Sequence, residues 1–247
     1  YKEADFTFTG SAEVKATNAS DTAYAMGLKD TDFANKNGNF SKVTFVVVDG
    51  QLTITPKSVD PEAGKGMSVG KLPHVTYNGK SQKQKPEVKD GNTLLTEGTD
   101  YTLSYSEDTT NVGTVTVTVE GKGNYAGEAE VTYGIMKRQV TLESASASKV
   151  YDGTPLTKPE VTVGGDGFVE GEVSGLKAIG TVTNVADGEV DNEIVWDWAE
   201  GFGEGNYDIT KTEGKLSIEP QSVDPDNPES YTGIKVGELS DLLYEGK

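Results

Sequence analysis

The sequence predicts an all-β protein assembled from small tandem modules. Three observations carry that expectation. Apolar and polar residues alternate strictly in several segments, as in Thr114-Val115-Thr116-Val117-Thr118-Val119, which puts the valines on one face of a strand and the threonines on the other. Turn formers punctuate the 247-residue chain, with 30 Gly and 9 Pro against only 34% hydrophobic residues, so each module has a thin core. Short phrases also return at a fixed distance. Gly50-Gln51-Leu52-Thr53-Ile54-Thr55-Pro56 is answered 164 residues further on by Gly214-Lys215-Leu216-Ser217-Ile218-Glu219-Pro220. Ser58-Val59-Asp60-Pro61 returns at the same offset as Ser222-Val223-Asp224-Pro225. Repetition at constant spacing marks strung or stacked units rather than one large domain.

Taken in order, residues 1–56 hold a short helical candidate, Asp21 to Lys29, which Gly27 interrupts. Val46-Val47-Val48, Asp49-Gly50 and then Leu52 and Ile54 read as a hairpin, whose Asp-Gly pair would supply the positive φ of a tight turn. Pro56 to Gly70 reads as a linker. Residues 57–137 then form an A-type repeat, opened by Tyr77-Asn78-Gly79-Lys80 and carrying the alternating strand 114–119 and the period-two set Val131, Tyr133 and Ile135. A boundary falls near Lys137-Arg138.

Residues 138–220 form a B-type repeat. Val140-Thr141-Leu142 starts a strand that leads to Tyr151-Asp152-Gly153, and Ile194, Trp196 and Trp198 alternate along another. Tyr207 and Ile209, followed by Leu216 and Ile218, flank Thr212-Glu213-Gly214 and read as a hairpin. Both repeats contain a Gly-rich run ending in Asn-Tyr, at Asn124-Tyr125 and Asn206-Tyr207. In each opening phrase the aromatic ring is expected in the core, with the glycine turning the chain at positive φ.

Gly38-Asn39-Phe40 and Thr17-Asn18 echo Gly205-Asn206-Tyr207 and Thr183-Asn184. Residues 1–56 therefore read as the later part of a B-type repeat without its opening strand. They should expose a sheet edge unless another segment or chain covers it. Pro220 to Pro228 is a second linker, and Tyr244-Glu245-Gly246-Lys247 repeats Tyr77-Asn78-Gly79-Lys80. Residues 221–247 thus read as a linker and the start of a further A-type repeat, with Glu238 to Leu243 a short helical candidate.

Composition narrows the function. The balance of 22 basic and 40 acidic side chains gives a formal charge of −18, which repels nucleic acid and anionic membranes. Arg138 is the one arginine, so there is no set of bidentate phosphate clamps. The absence of cysteine excludes disulfides, thiolate metal sites and a cysteine nucleophile. No apolar stretch reaches the length that spans a bilayer, and Tyr1-Lys2-Glu3-Ala4-Asp5 is no signal peptide. The chain reads as an internal excerpt of a longer protein.

Candidate chemistry is sparse. His74 is the only histidine, and Leu72-Pro73-His74-Val75 offers it no nucleophile elbow, so a surface role is the better reading. Asp30-Thr31-Asp32-Phe33-Ala34-Asn35 starts like a calcium loop, but Ala34 stands at a ligand position and the glycine at position six is missing. Asp224, Asp226 and Asn227 offer weak oxygen ligands in the second linker. Lys149 and Asn184 are the candidate partners for an isopeptide cross-link, without a diagnostic motif. The most informative group is Trp196, Trp198 and Phe202, close to Asp197, Glu200 and Glu204. Aromatic faces beside carboxyl groups suit a sugar ring. The structural alternative is that Ile194, Trp196 and Trp198 cover one face of a small core.

These phrases resemble a known family. Tyr77-Asn78-Gly79-Lys80, Glu97-Gly98-Thr99-Asp100-Tyr101, Asn111-Val112-Gly113-Thr114 and Gly121-Lys122-Gly123-Asn124-Tyr125 are similar to repeats of cell-surface proteins of Gram-positive gut bacteria. Lys149-Val150-Tyr151-Asp152-Gly153-Thr154-Pro155-Leu156-Thr157, with Asn206-Tyr207 and Gly214-Lys215-Leu216-Ser217-Ile218, resembles the YDG and MBG class of adhesin repeats. The likeness covers residues 68–220 well and 1–56 more loosely, where Phe40 replaces the family's tyrosine and the opening motif is missing. It implies an exported, wall-attached, extracellular protein whose repeats serve as adhesin or stalk, with no catalysis and no cofactor. The expected architecture is an elongated array of small Ig-like β-sandwich modules, with β-grasp modules as the alternative. The expected chain is monomeric, with host glycans or mucins as candidate partners.

Overall fold

A computed structural model describes residues 1–222; Asp224, Asp226, Asn227, the 238–243 candidate and the Tyr244 phrase lie outside the described residues. The chain divides into two compact units. The first comprises Tyr1–Val75 and Lys80–Met136, and the second Thr76–Gly79 with the described residues from Lys137 onward. The protein is all-β: helical structure among the described residues is confined to 3-10 turns of three residues.

The first unit is centred on an antiparallel meander of Tyr101–Tyr105, Gly113–Gly121 and Glu128–Met136. Val115, Val117 and Val119 are buried, while Thr114 is exposed and Thr116 and Thr118 are half-buried. The alternation read from the sequence thus sets the inward face. Val119, Ala129 and Tyr101 join Val59, Met67, Val88 and Leu95 in one core cluster.

Val59 and Met67 correct the reading of 56–70 as a linker. That stretch holds two strands, and Lys57–Ser58 pairs in parallel with Tyr125–Ala126. Pairing carries Val59 to complete burial, worth about 1.5–3 kcal/mol for such a side chain.

Residues 1–56 look different. Two antiparallel pairs form, Phe6–Phe8 with Phe33–Asn35 and Tyr24–Ala25 with Gln51–Leu52, yet no residue in this stretch is buried. Aromatic contacts hold it: Phe33 lies 5.8 Å from Phe6 and 5.6 Å from Phe45, and Tyr1 lies 5.2 Å from Phe40. The helical candidate at 21–29 is instead the Tyr24–Ala25 strand, followed by Gly27 at φ 81. The hairpin expected over 46–54 does not form. Residues 41–50 carry no strand, because Gln51–Leu52 pairs back onto Tyr24–Ala25 instead. Gly50 has no positive φ.

In the second unit Arg138–Ser144 lies at the centre of a sheet, antiparallel to Val161–Gly165 and parallel to Tyr207–Thr212. After a break at Ala145 and Ser146 the chain continues as Ala147–Val150, parallel to Lys215–Glu219 in a second sheet. The hairpin expected between 207–212 and 215–219 is therefore corrected: these consecutive strands belong to different sheets. Two stretches, 138–150 and 207–219, run side by side and cross together from one sheet to the next. Glycine is required at the crossing, where a Cβ on residue 214 would stand 2.3 Å from the Ala145 carbonyl carbon.

Asn192, fully buried, secures that crossing. Its Nδ2 donates to the carbonyls of Ala145 (3.1 Å) and Lys158 (2.9 Å), and its Oδ1 accepts the Gly180 N–H at 3.1 Å. Ser144 Oγ donates to the Asn192 carbonyl at 2.6 Å and accepts the Gly214 N–H at 3.0 Å. Satisfying each of these groups is what makes their burial tolerable. Beside them, Val182, Leu216 and Ile218 form a core with Ala147, Leu156 and Val190.

The two opening phrases differ in structure. Gly79 and Gly153 take the expected positive φ, 74 and 78. Tyr77 is buried as expected, whereas Tyr151 is 40% exposed, since Tyr151-Asp152-Gly153 forms a surface turn in which Asp152 binds Lys149 and the Thr154 N–H.

The two halves of the repeat are also structural counterparts. Tyr24 pairs with Leu52 as Val190 pairs with Leu216. The Met26 N–H donates to the Gly50 carbonyl at 2.9 Å, as Asn192 does to Gly214 at 2.8 Å. The Leu28 N–H reaches the Asp49 carboxyl at 3.1 Å, as Ile194 reaches Glu213 at 3.0 Å.

Candidate functional site

The second unit gathers the aromatic residues singled out in the sequence. Ile194–Trp198 pairs antiparallel with Val173–Ala178, and alternation turns Trp196 and Trp198 to the side of the buried Ile194. Their rings meet edge to face at 6.3 Å. Phe168 stands 6.1 Å from Trp196, 5.8 Å from Trp198 and 5.3 Å from Tyr207. Trp198 and Tyr77 lie 5.4 and 5.7 Å from Tyr207. Tilted and edge-to-face contacts of this kind add about 0.5–1.5 kcal/mol per pair beyond burial. Both tryptophans remain half-buried, and the Lys211 ammonium lies 5.9 Å from the Trp196 ring centre. Phe202 stands apart at 46% exposure, on the turn where its N–H donates to the Ala199 carbonyl at 3.0 Å.

Beneath the rings is a carboxyl group that sequence reasoning missed. Glu172 is 3% exposed; its Oε1 accepts the Tyr77 hydroxyl at 2.7 Å and its Oε2 the Tyr207 hydroxyl at 2.6 Å. The Tyr207 oxygen in turn accepts the Val169 N–H at 3.1 Å. Burial, then the hydrogen bond to Glu172, pushes the Tyr77 hydroxyl up to about 12, and the same two causes raise Tyr207. Arg138 fastens the surrounding backbone, donating from Nε to the Gly167 carbonyl at 2.7 Å, from Nη2 to the Asp166 carbonyl, and from Nη1 to the Tyr77 carbonyl at 3.4 Å. Nothing in Val169-Glu170-Gly171-Glu172 distinguishes Glu172 from its acidic neighbours; only the rings converging from 77 and 207 do.

Chemically, this arrangement ties and stacks. The buried carboxyl has both oxygens committed, and Asp197, Glu200 and Glu204 are exposed. A shallow cleft of about 370 Å³ beside the Gly-rich loop is lined by Lys137, Glu204, Gly205, Tyr207, Asp208 and Ile209, so none of the three aromatic residues chosen from the sequence borders it.

The remaining candidates are engaged locally. His74 is exposed, and its Nδ1 accepts the Gly134 N–H at 2.7 Å. Asp32 accepts the Lys29 N–H at 2.8 Å and Asp30 the Val47 N–H at 3.1 Å. Among the described residues no three acidic or histidine side chains gather as metal ligands. Lys149 binds Asp152 and Thr154 at 2.7 and 2.6 Å, while Asn184 donates to Asp187 at 2.8 Å through its N–H. No helix among the described residues is long and apolar enough to cross a membrane.

No protein-family model and no curated protein sequence matches this chain.

Proposed function

We propose that the chain is a load-bearing spacer: a stalk segment of an exported, adhesin-like surface protein, built of tandem Ig-like β modules and without catalysis of its own. The observation that carries this reading is the parallel pairing of 138–150 with 207–219 in the second unit. Six residue pairs join Arg138–Ser144 to Tyr207–Thr212, and four join Ala147–Val150 to Lys215–Glu219. Tension entering at residue 138 and leaving at 219 pulls these neighbours in opposite directions along their length. The connecting hydrogen bonds are then loaded together in shear rather than broken one after another. Lys57–Ser58 beside Tyr125–Ala126 repeats the geometry on a smaller scale. The absence of a spanning helix among the described residues favours the sandwich over the β-grasp alternative.

Single-molecule stretching of the full chain between handle domains tests the proposal. The second unit should open in one discrete high-force event, and Leu142→Pro, which removes a ladder donor, should lower that force. Smooth extension without such an event would refute the spacer reading. A second reading, glycan or mucin binding through Trp196, Trp198 and Phe202, rests on the half-buried tryptophans and the exposed Phe202. Saturable quenching of tryptophan fluorescence by mucin glycans is the result that would favour it.

A further inference from the structure

Residues 43–55 of the first unit are less covered than their counterparts in the second. We infer that residues 43–55 bind an extended polypeptide segment with the alternating pattern of 138–150, in which Val140, Leu142 and Ala147 point inward. The starting observation is an edge with one side unoccupied. In the second unit Lys215–Glu219 is paired on both sides, by Val190–Asp191 and by Ala147–Val150. Its counterpart Gln51–Leu52 pairs on one side only among the described residues, with Tyr24–Ala25.

Burial follows the same division. Leu216 and Ile218 are 0% and 6% exposed, with Ala147 and Leu156 packed on them. Leu52 and Ile54, at the same places in the repeated phrase, are only half-buried. Along 41–50 the alternation persists without a strand: Val43, Phe45 and Val47 are half-buried, and Val46 and Val48 are 85% and 92% exposed. An apolar cavity of about 240 Å³ lies here, lined by Leu28, Phe33, Phe45, Val46, Val47 and Val48. In the second unit the strand beside Tyr207–Thr212 supplies Val140 and Leu142, each 1% exposed.

Met26 marks the path of the incoming chain. A Cβ on Gly214 would strike the Ala145 backbone, whereas one on Gly50 would strike Met26 Sδ at 2.2 Å. The methionine side chain lies over Gly50 much as the accepted strand's backbone lies over Gly214. An unbranched thioether is easily displaced into another rotamer, so the methionine is a removable plug in the groove. Backbone pairing would supply affinity, and the pockets for alternate side chains would supply selectivity.

The test adds a synthetic peptide of residues 137–152 to the full chain and follows backbone hydrogen exchange. Exchange across 43–55 should slow at least about tenfold in a saturable manner. A peptide carrying Val140→Asp and Leu142→Asp should leave it unchanged. A second arm joins a copy of residues 137–165 ahead of Tyr1 through a flexible linker, which removes the cost of bimolecular association. Unchanged exchange in both arms would overturn the inference. Protection that depends on protein concentration without added peptide, together with a dimer in sedimentation, would also overturn it by making a second copy the occupant.

Discussion

Leu52 and Leu216 hold the same place in the same phrase and face equivalent partners, Tyr24 and Val190. One is half-buried and the other fully buried. Local sequence is enough to recreate the pairing, the carbonyl partner of residue 26 or 192, and the carboxyl that accepts residue 28 or 194. It does not recreate the core. What separates the two regions is the covering chain 138–150, which delivers Val140, Leu142 and Ala147. Strand identity is thus a local property, and burial is supplied from a distance along the chain.

The comparison can be broken most directly at those leucines. Leu216→Ala should lower the unfolding free energy of the second unit by about 2–5 kcal/mol, followed in urea by fluorescence of Trp196 and Trp198. Leu52→Ala should cost the first unit under about 1 kcal/mol, read by regional hydrogen exchange. Equal costs would mean that the half-buried leucine is covered in solution.

The next pair is Asn192 and Met26. Asn192→Ala strands the carbonyls of Ala145 and Lys158 and the Gly180 N–H, and should cost about 2–4 kcal/mol. Met26→Ala should change stability by under about 1 kcal/mol, since that residue's backbone makes the shared hydrogen bond. A small effect at Asn192 in urea unfolding would show that the crossing does not depend on its side chain.

A third test concerns the tyrosines on Glu172. Tyr77→Phe leaves a buried oxygen of Glu172 without its donor and should cost about 1.5–3 kcal/mol at neutral pH. Its sharper signature is in alkali. The folded state holds the Tyr77 proton up to about 12, while an unfolded tyrosine releases it near its ordinary value of 10.0. Between these values the native state binds more protons, so stability falls as pH rises. Unfolding midpoints measured from pH 9 to 12 should decline less steeply in Tyr77→Phe than in the unaltered chain; identical slopes would remove Tyr77 from that role.

Much of the fold was readable beforehand because strand faces are set by a period of two. The valines at 115, 117 and 119, and the shared face of Ile194, Trp196 and Trp198, followed from that rule alone. Pairing partners were less legible. The phrases at 46–54 and 207–218 have the composition of hairpins, but parallel pairing with distant segments competes with a local turn, and the sequence carries no mark of which wins. The linker reading at 56–70 failed for the same reason, since Pro and Gly conceal the two apolar residues that reach the core. At the aromatic cluster the tryptophans were visible, whereas Glu172, Phe168 and Arg138 became informative only once residues 77 and 207 were brought together.

That convergence also determines where the chain can be cut. Thr76–Gly79 belongs to the second unit, far in sequence from the rest of it. A fragment excised from Lys137 onward would leave Tyr77 behind, emptying one ring position beside Tyr207 and freeing an oxygen of Glu172 inside an apolar shell. Anyone preparing the second unit in isolation should begin upstream of Thr76, because the border drawn by compactness near Met136 is not a safe place for scissors.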